Sequence, residues 1–343
     1  MRSLSNQLFE RQEAWFAMKS LALWLPLAAA AVTWGCAPAG EDVGDIVDLA
    51  ARIEARLDAL DAKTSFYAKH LPSGREIAIR ADQPMNALSV IKIPVLVLAY
   101  RDAEAGDLDL DERYRIQPED MRGGSGLLRT FAPGVEPTYR DLLTQMIITS
   151  DNTATDVIIG RLGRDRVNAM LAELGYEQTR LRATTGELFR ALWELADPVN
   201  ASLTDREVFE QGFPSDPGAV ARTFEFEGDS TAWLGRITAR EIARMLEEIE
   251  EGELASRESS DEMIGILRRQ LYSSRLPQRL RGRASIAHKT GDWPPYAGND
   301  VGILYYEDGP IVVAVFTNQN RGDFFELEAT LGRIAVDLVE GWR

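Results

Sequence analysis

Between Val90 and Tyr100 the chain reads VIKIPVLVLAY, a run in which only Lys92 and Pro94 interrupt Val, Ile, Leu, Ala and Tyr. A helix built from such a run is apolar on every side, so it must lie inside the protein rather than on its surface. A lysine inside a buried helix needs a reason. If the helix begins at or just before Ser89, Ser89 and Lys92 form an i, i+3 pair on one face. A serine hydroxyl is a weak nucleophile until a neighbour takes its proton, and a lysine can take it only when neutral. Apolar burial disfavours the ammonium form and so makes a lysine a base near neutral pH. The first turn of a helix also offers unpaired backbone N–H groups that stabilise developing negative charge. Taken alone, the pair reads first as a capping serine and a lysine that snorkels to the surface. Pro94 cannot donate to the carbonyl of Val90, so an irregular helix start is expected.

The chain has 343 residues, 45% of them hydrophobic, enough for one large domain or a two-lobed unit. A net charge of −16 argues against nucleic acid or an anionic membrane as the main partner. His70 and His288 are the only histidines and Cys36 the only cysteine. That inventory supplies neither a histidine-dependent triad nor a metal-ligand cluster, so no metal or other cofactor is expected.

The short apolar run Leu21 to Val32 follows Lys19 and ends near Gly35-Cys36. It is too short for a comfortable membrane span and the right size for the core of a secretory signal. A hydrophobic run closed by Gly-Cys resembles a bacterial lipoprotein signal, which implies lipidation of Cys36 and a membrane anchor; plain secretion with cleavage nearby is the alternative. Glu10 and Glu13 suit a leader poorly, which makes Met18 an alternative start. The expected plan is a signal over 1–36, a tether over 37–44 and a folded domain over 45–343, exported across the inner membrane and either periplasmic or anchored.

Helical spacing recurs at 42–62, 139–148, 153–162, 239–249, 260–269 and 326–339. Strand patterns occur at 65–71 and 76–80 around Pro72-Ser73-Gly74, and again at 284–288, 301–306 and 311–317. Strands at both ends around a helical middle predict an α/β (α+β) fold. Its antiparallel sheet is assembled from N- and C-terminal strands (45–88 and 284–343) and packed with a central all-helical block (about 89–283). Gly123-Gly124-Ser125-Gly126 lacks the closing lysine of a phosphate loop and reads as a flexible loop. Residues 179–237 show no clear period.

Two further clusters carry chemistry. Ser150-Asp151-Asn152 sits between two apolar helices, where it can be a helix cap, a proton relay or a contact for a substrate amide. Lys289-Thr290-Gly291 ends a strand, where an ammonium, a hydroxyl and an unhindered backbone suit a carboxylate or carbonyl. Ser89-x-x-Lys92, Ser150-Asp151-Asn152 and Lys289-Thr290-Gly291, in that order, resemble the active-site motifs of the serine β-lactamase and penicillin-binding protein superfamily, and class A β-lactamases in particular. The resemblance covers roughly 45–343. It implies acyl transfer from a β-lactam or cell-wall peptide amide to Ser89, with Lys92 as base directly or through water and Ser150 as proton relay. It also implies that Asn152 contacts the substrate amide, that Lys289, Thr290 and Gly291 form the carboxylate site, and that the backbone N–H groups of Ser89 and Asp292 form an oxyanion hole. A monomer without nucleic-acid partners is expected.

The family hydrolyses its acyl-enzyme with a glutamate in a Trp-Glu-x-x-Leu-Asn-like stretch. Here Thr179-Arg180-Leu181 resembles the lead-in, but Arg182-Ala183-Thr184-Thr185-Gly186-Glu187-Leu188 follows. Glu187 is the candidate for that base and Glu194, in Trp193-Glu194-Leu195, the alternative. The expected activity is therefore that of a β-lactamase-type serine hydrolase. The alternatives are a penicillin-binding or peptidase-like acyl-enzyme that deacylates poorly, and a non-catalytic cell-wall-binding lipoprotein on the same fold.

Overall fold

The computed structural model describes residues 41–343; the expected signal, Cys36 and the first residues of the expected tether lie outside the described residues. In chain order the elements are α1 (Glu41–Asp58), β1 (Lys63–His70), β2 (Glu76–Ile79), β3 (Met85–Asn86), α2 (Lys92–Ala105), α3 (Tyr139–Ile148), α4 (Asn152–Leu162) and α5 (Arg164–Glu173). There follow β4 (Arg180–Leu181), α6 (Thr185–Ala196), α7 (Asp205–Gln211), α8 (Ala219–Gly228), β5 (Gly235–Ile237), α9 (Ala239–Glu251) and α10 (Arg257–Leu267). The chain closes with β6 (Ser285–Trp293), β7 (Ala297–Tyr306), β8 (Gly309–Asn318) and α11 (Phe324–Gly341).

The main sheet is antiparallel in the order β2-β1-β8-β7-β6, so the first strand pairs directly with the last, from Lys63↔Asn318 to His70↔Ile311. Both faces are covered, which is why β8 reads as a continuous apolar run. Val312, Ala314 and Phe316 join the core shared with the helical block. Ile311, Val313 and Val315 join a second core closed by Leu49, Ile53 and Leu57 of α1 and Leu331, Ile334 and Leu338 of α11. The predicted sheet from both chain ends is present.

Two expectations need correction. The helical block is not wholly helical, because β3, β5 and β4 form a small three-stranded sheet in that order. These strands have two or three residues each, too few to show an alternation. The strand carrying Lys289 also does not stop at His288: β6 runs on to Trp293 because β7 pairs with its whole length, Lys289↔Val301, Thr290↔Asp300 and Gly291↔Asn299 included.

The unreadable stretch after 196 folds as a 3-10 turn (Pro198–Ser202), α7 and α8. Thr204 and Glu207 form a capping box that starts α7, a signal short enough to be lost among the surrounding acids. The helix over 90–100 is buried as its composition demands, with Ile93 to Tyr100 almost entirely inaccessible.

Candidate active site

The entry to α2 is irregular, as Pro94 requires. Leu88–Ile91 form a 3-10 turn and the α-helix begins only at Lys92. Leu88 has φ +47°, an uncommon conformation for a branched residue. It is held there by Asn86, whose Oδ1 accepts from the Leu88 N–H at 3.3 Å while its carbonyl accepts from Asn299 Nδ2 at 2.9 Å. The turn leaves Ser89 partly exposed while Leu88, Val90, Ile91 and Lys92 are buried.

Lys92 is fully buried, and its three hydrogen bonds go to the Ser150 carbonyl (2.7 Å), Ser150 Oγ (3.1 Å) and Asn152 Oδ1 (3.0 Å). The expected direct meeting with the Ser89 hydroxyl is not among them. Burial, helped by the positive charge of Lys289, holds the Lys92 amine well below the ordinary lysine range. Lys289 is equally buried, and desolvation pushes its amine down to about 7. Its Nζ donates to Ser150 Oγ at 3.0 Å and to the Thr290 carbonyl at 2.8 Å. Two lysines thus converge on one serine oxygen. Ser150 presents it from φ +54°, a strained setting for a non-glycine residue, fixed by Asp151, which caps α4 through Ala154 N–H (2.9 Å) and accepts from Leu128 N–H (2.7 Å).

Gly291 shows why a glycine follows the lysine and threonine. A Cβ there would stand 2.8 Å from the carbonyl of Ala87, so only glycine lets β6 lie against the turn that carries Ser89. The Thr290 hydroxyl is buried and has no hydrogen-bond partner, which leaves it free for a ligand. Asp292 follows and lines the cleft with Ser89, Ser150 and Asn152. The structure therefore brings Ser89, Ser150, Asn152 and Asp292 together at a cleft of about 430 Å³, with the buried Lys92 and Lys289 behind Ser150 and with Thr290 and Gly291 joining Lys289 to Asp292 along β6.

Glu187 and Glu194 are not brought there. Glu187 Oε2 accepts from Thr184 N–H at 2.7 Å in a capping box and from Arg164 at 2.9 Å, and its side chain is 40% exposed. Glu194 is exposed. The face of α6 that lines the cleft is Thr185, Leu188, Phe189 and Leu192, positions i, i+3, i+4 and i+7. Asp156 holds that helix in place: it accepts from the Thr185 N–H (2.8 Å), the Thr185 hydroxyl (2.7 Å), the Gly186 N–H (2.8 Å) and Arg122 Nε (2.7 Å). A carboxylate at a helix N-terminus is favoured by the unpaired N–H groups there.

Four contributors escaped the sequence reading. Asp156 and Thr185 carried no motif. The glycine cluster is a wall rather than a loose loop: Gly124 and Ser125 line the cleft, Ser125 Oγ donates to the Ser150 carbonyl at 2.7 Å, and Asn152 Nδ2 donates to the Gly123 carbonyl at 3.0 Å. A Cβ on Gly126 would collide with Asp151, a spatial demand invisible in one dimension. The residues after α6 supply Phe213, whose ring meets Phe189 edge-on at 5.0 Å.

Comparisons with known proteins agree with this geometry. A model of the β-lactamase enzyme family matches residues 48–342. Among curated relatives, β-lactamase L2 of Stenotrophomonas maltophilia is 31% identical over 170 residues, covering 49% of this chain; the chain spans 54% of that relative's length. A β-lactamase of Streptomyces fradiae is 26% identical over 308 residues, 87% of this chain and 86% of the relative. Among solved structures, the β-lactamase of Sphaerobacter thermophilus DSM 20745 superposes with a TM-score of 0.67 at 25% identity, over 86% of this chain and 96% of that one. With a matched family model spanning nearly all of the described residues and the three motifs converging on one cleft, the chain belongs to the β-lactamase enzyme family.

Proposed function

We propose that the protein is a serine acyl-transfer enzyme that takes the acyl group of a β-lactam or related cell-wall amide onto Ser89 and releases it slowly. Neutral Lys92, directly or through a water, takes the Ser89 proton as Oγ attacks the carbonyl. The negative charge that develops on the carbonyl oxygen is received by the backbone N–H groups of Ser89 and Asp292. The amide C–N bond then breaks, and the proton passes through Ser150 Oγ, which both lysines contact, to the leaving nitrogen. The side chains of Lys289 and Thr290 hold the far end of the substrate.

One observation carries the slow-release half of this reading. Where a base for hydrolysing the ester would be needed, α6 offers the cleft Thr185, Leu188, Phe189 and Leu192, while Glu187 is committed to Thr184 and Arg164. Water meeting that wall finds no carboxylate to activate it.

The test is intact-protein mass spectrometry of the chain mixed with benzylpenicillin and followed over time, with Ser89→Ala as control. A single adduct that persists while little free drug is consumed, and that is absent from the variant, is expected. An adduct that decays as the drug is turned over would make the protein a hydrolytic β-lactamase. No adduct at all would overturn acylation.

A further inference from the structure

The end of the cleft beside Lys289 has an unusual charge composition. Arg275, 1% exposed, donates through Nη2 to Asp292 Oδ1, and its Nη1 faces Glu328 Oε1 at 3.5 Å. Asp300, fully buried, is committed to His288 Nδ1 at 2.8 Å and to the Leu276 N–H at 3.1 Å. Asp292 is also the foremost carboxylate acting on the Lys289 amine. Three carboxylates therefore surround the Arg275 guanidinium and the Lys289 amine, whose proton burial has loosened, and Asp292 acts on the Lys92 amine as well, so little positive charge is left over for an incoming anion. Of the three, Asp292 alone lines the cleft, with its side chain 31% exposed.

From this we infer that Asp292 is a specificity-determining residue: its carboxylate occupies the cationic end of the cleft and turns away acyl donors that carry a free carboxylate there, so the site takes donors that are neutral at that end, as esters or amides. The inference rests on acylation at Ser89. A neutral carbonyl can still accept from Lys289 and from the unpartnered Thr290 hydroxyl, which is all a neutral donor requires. A carboxylate meets the same donors plus a like charge. Two like charges about 6 Å apart at an effective dielectric of about 20 differ from the uncharged case by a factor of about 100, and partial exposure reduces this to roughly tenfold.

The experiment compares benzylpenicillin with its methyl ester, which differ only in that carboxylate, by measuring the rate of adduct formation on the wild-type chain and on Asp292→Asn. The wild type is expected to react with the ester at least as fast as with the free acid. The variant's acid-to-ester rate ratio should exceed that of the wild type by about tenfold, a ratio in which any change at the Asp292 N–H of the oxyanion hole cancels. An acid-to-ester ratio that is the same in both proteins overturns the inference. Should the variant fail to fold because Arg275 loses its partner, the wild type alone decides. Added salt should then speed acylation by the acid and leave the ester unchanged, and a rate that falls or stays flat for the acid overturns the inference. Absence of any Ser89 adduct with either compound would instead overturn the acylation reading itself, and this inference with it.

Discussion

Replacing Lys289 by Met should stabilise the protein at low pH and lose that advantage as the pH rises. The buried amine sheds its proton at about 7 in the folded chain and near 10.5 in the unfolded one. Between those values the unfolded chain binds more protons, so wild-type stability rises with pH across that window; below it both states are protonated and the full cost of burying the ammonium is present. At about 1.4 kcal/mol per pH unit the gap is worth about 5 kcal/mol, of which about 4 kcal/mol is recovered between about pH 6 and pH 10. Methionine carries no charge and keeps most of the volume. It forfeits the hydrogen bonds to Ser150 Oγ and the Thr290 carbonyl, a cost of about 1–3 kcal/mol that does not depend on pH. Lys92 regains part of the proton affinity that the Lys289 charge denies it, which trims the difference without reversing it. Thermal melts of both proteins by circular dichroism across this range should show the variant's melting temperature, relative to wild type, falling by about 8 °C from acid to alkaline pH, at roughly 2 °C per kcal/mol. A difference that stays constant to within about 2 °C would refute the claim that burial lowers the proton affinity of Lys289.

Asp156→Asn should destabilise the fold by about 1–3 kcal/mol, because Arg122 keeps Asp205 but loses its other carboxylate and the start of α6 loses one of its two acceptor oxygens; a denaturant midpoint unchanged from wild type would contradict this. Gly291→Ala places a methyl group 2.8 Å from the Ala87 carbonyl and should push β6 off the Ser89 turn, lowering the acylation rate by about 100-fold while the far-ultraviolet spectrum stays native; acylation at the wild-type rate would show that the close approach is dispensable. Phe213→Ala removes half of the edge-on ring pair in the cleft. It should slow acylation by benzylpenicillin up to about tenfold relative to 6-aminopenicillanic acid, which lacks the aromatic side chain, and equal effects on both would deny the rings a role in recognition.

What could be read from sequence was whatever local spacing determines. Ser89 and Lys92 are three residues apart, Ser150 to Asn152 and Lys289 to Gly291 are contiguous, and α3 begins and ends where its apolar pattern does, at Tyr139 and Ile148. The strands of the sheet announced themselves because both of its faces are buried. What stayed hidden depends on distance in three dimensions. Asp156 reaches α6 across about thirty residues, and Arg275 meets Glu328 across the three strands β6, β7 and β8. Glu187 attracted notice for its position after Thr179-Arg180-Leu181, yet it sits three residues after Thr184 and serves the helix start instead. The α6 periodicity that separates Glu187 and Glu194 from Thr185, Leu188, Phe189 and Leu192 was present in the letters. It was obscured because the residues after it have no period of their own.

The pairing of β1 with β8 ties residues near 63 to residues near 318. On a ribosome, β1 can pair with β2 as a hairpin and the helical middle can bury its own apolar faces while the other edge of β1 still waits for a strand not yet synthesised. Until β8 arrives, Phe66 and Ala68 have β2 on one side but no strand on the other and no completed core to enter. Loop closure over that span is paid before any ladder bond forms, so the sheet is the late and slow step of assembly. A nascent chain of this protein is therefore most vulnerable to aggregation just before its last strand leaves the exit tunnel.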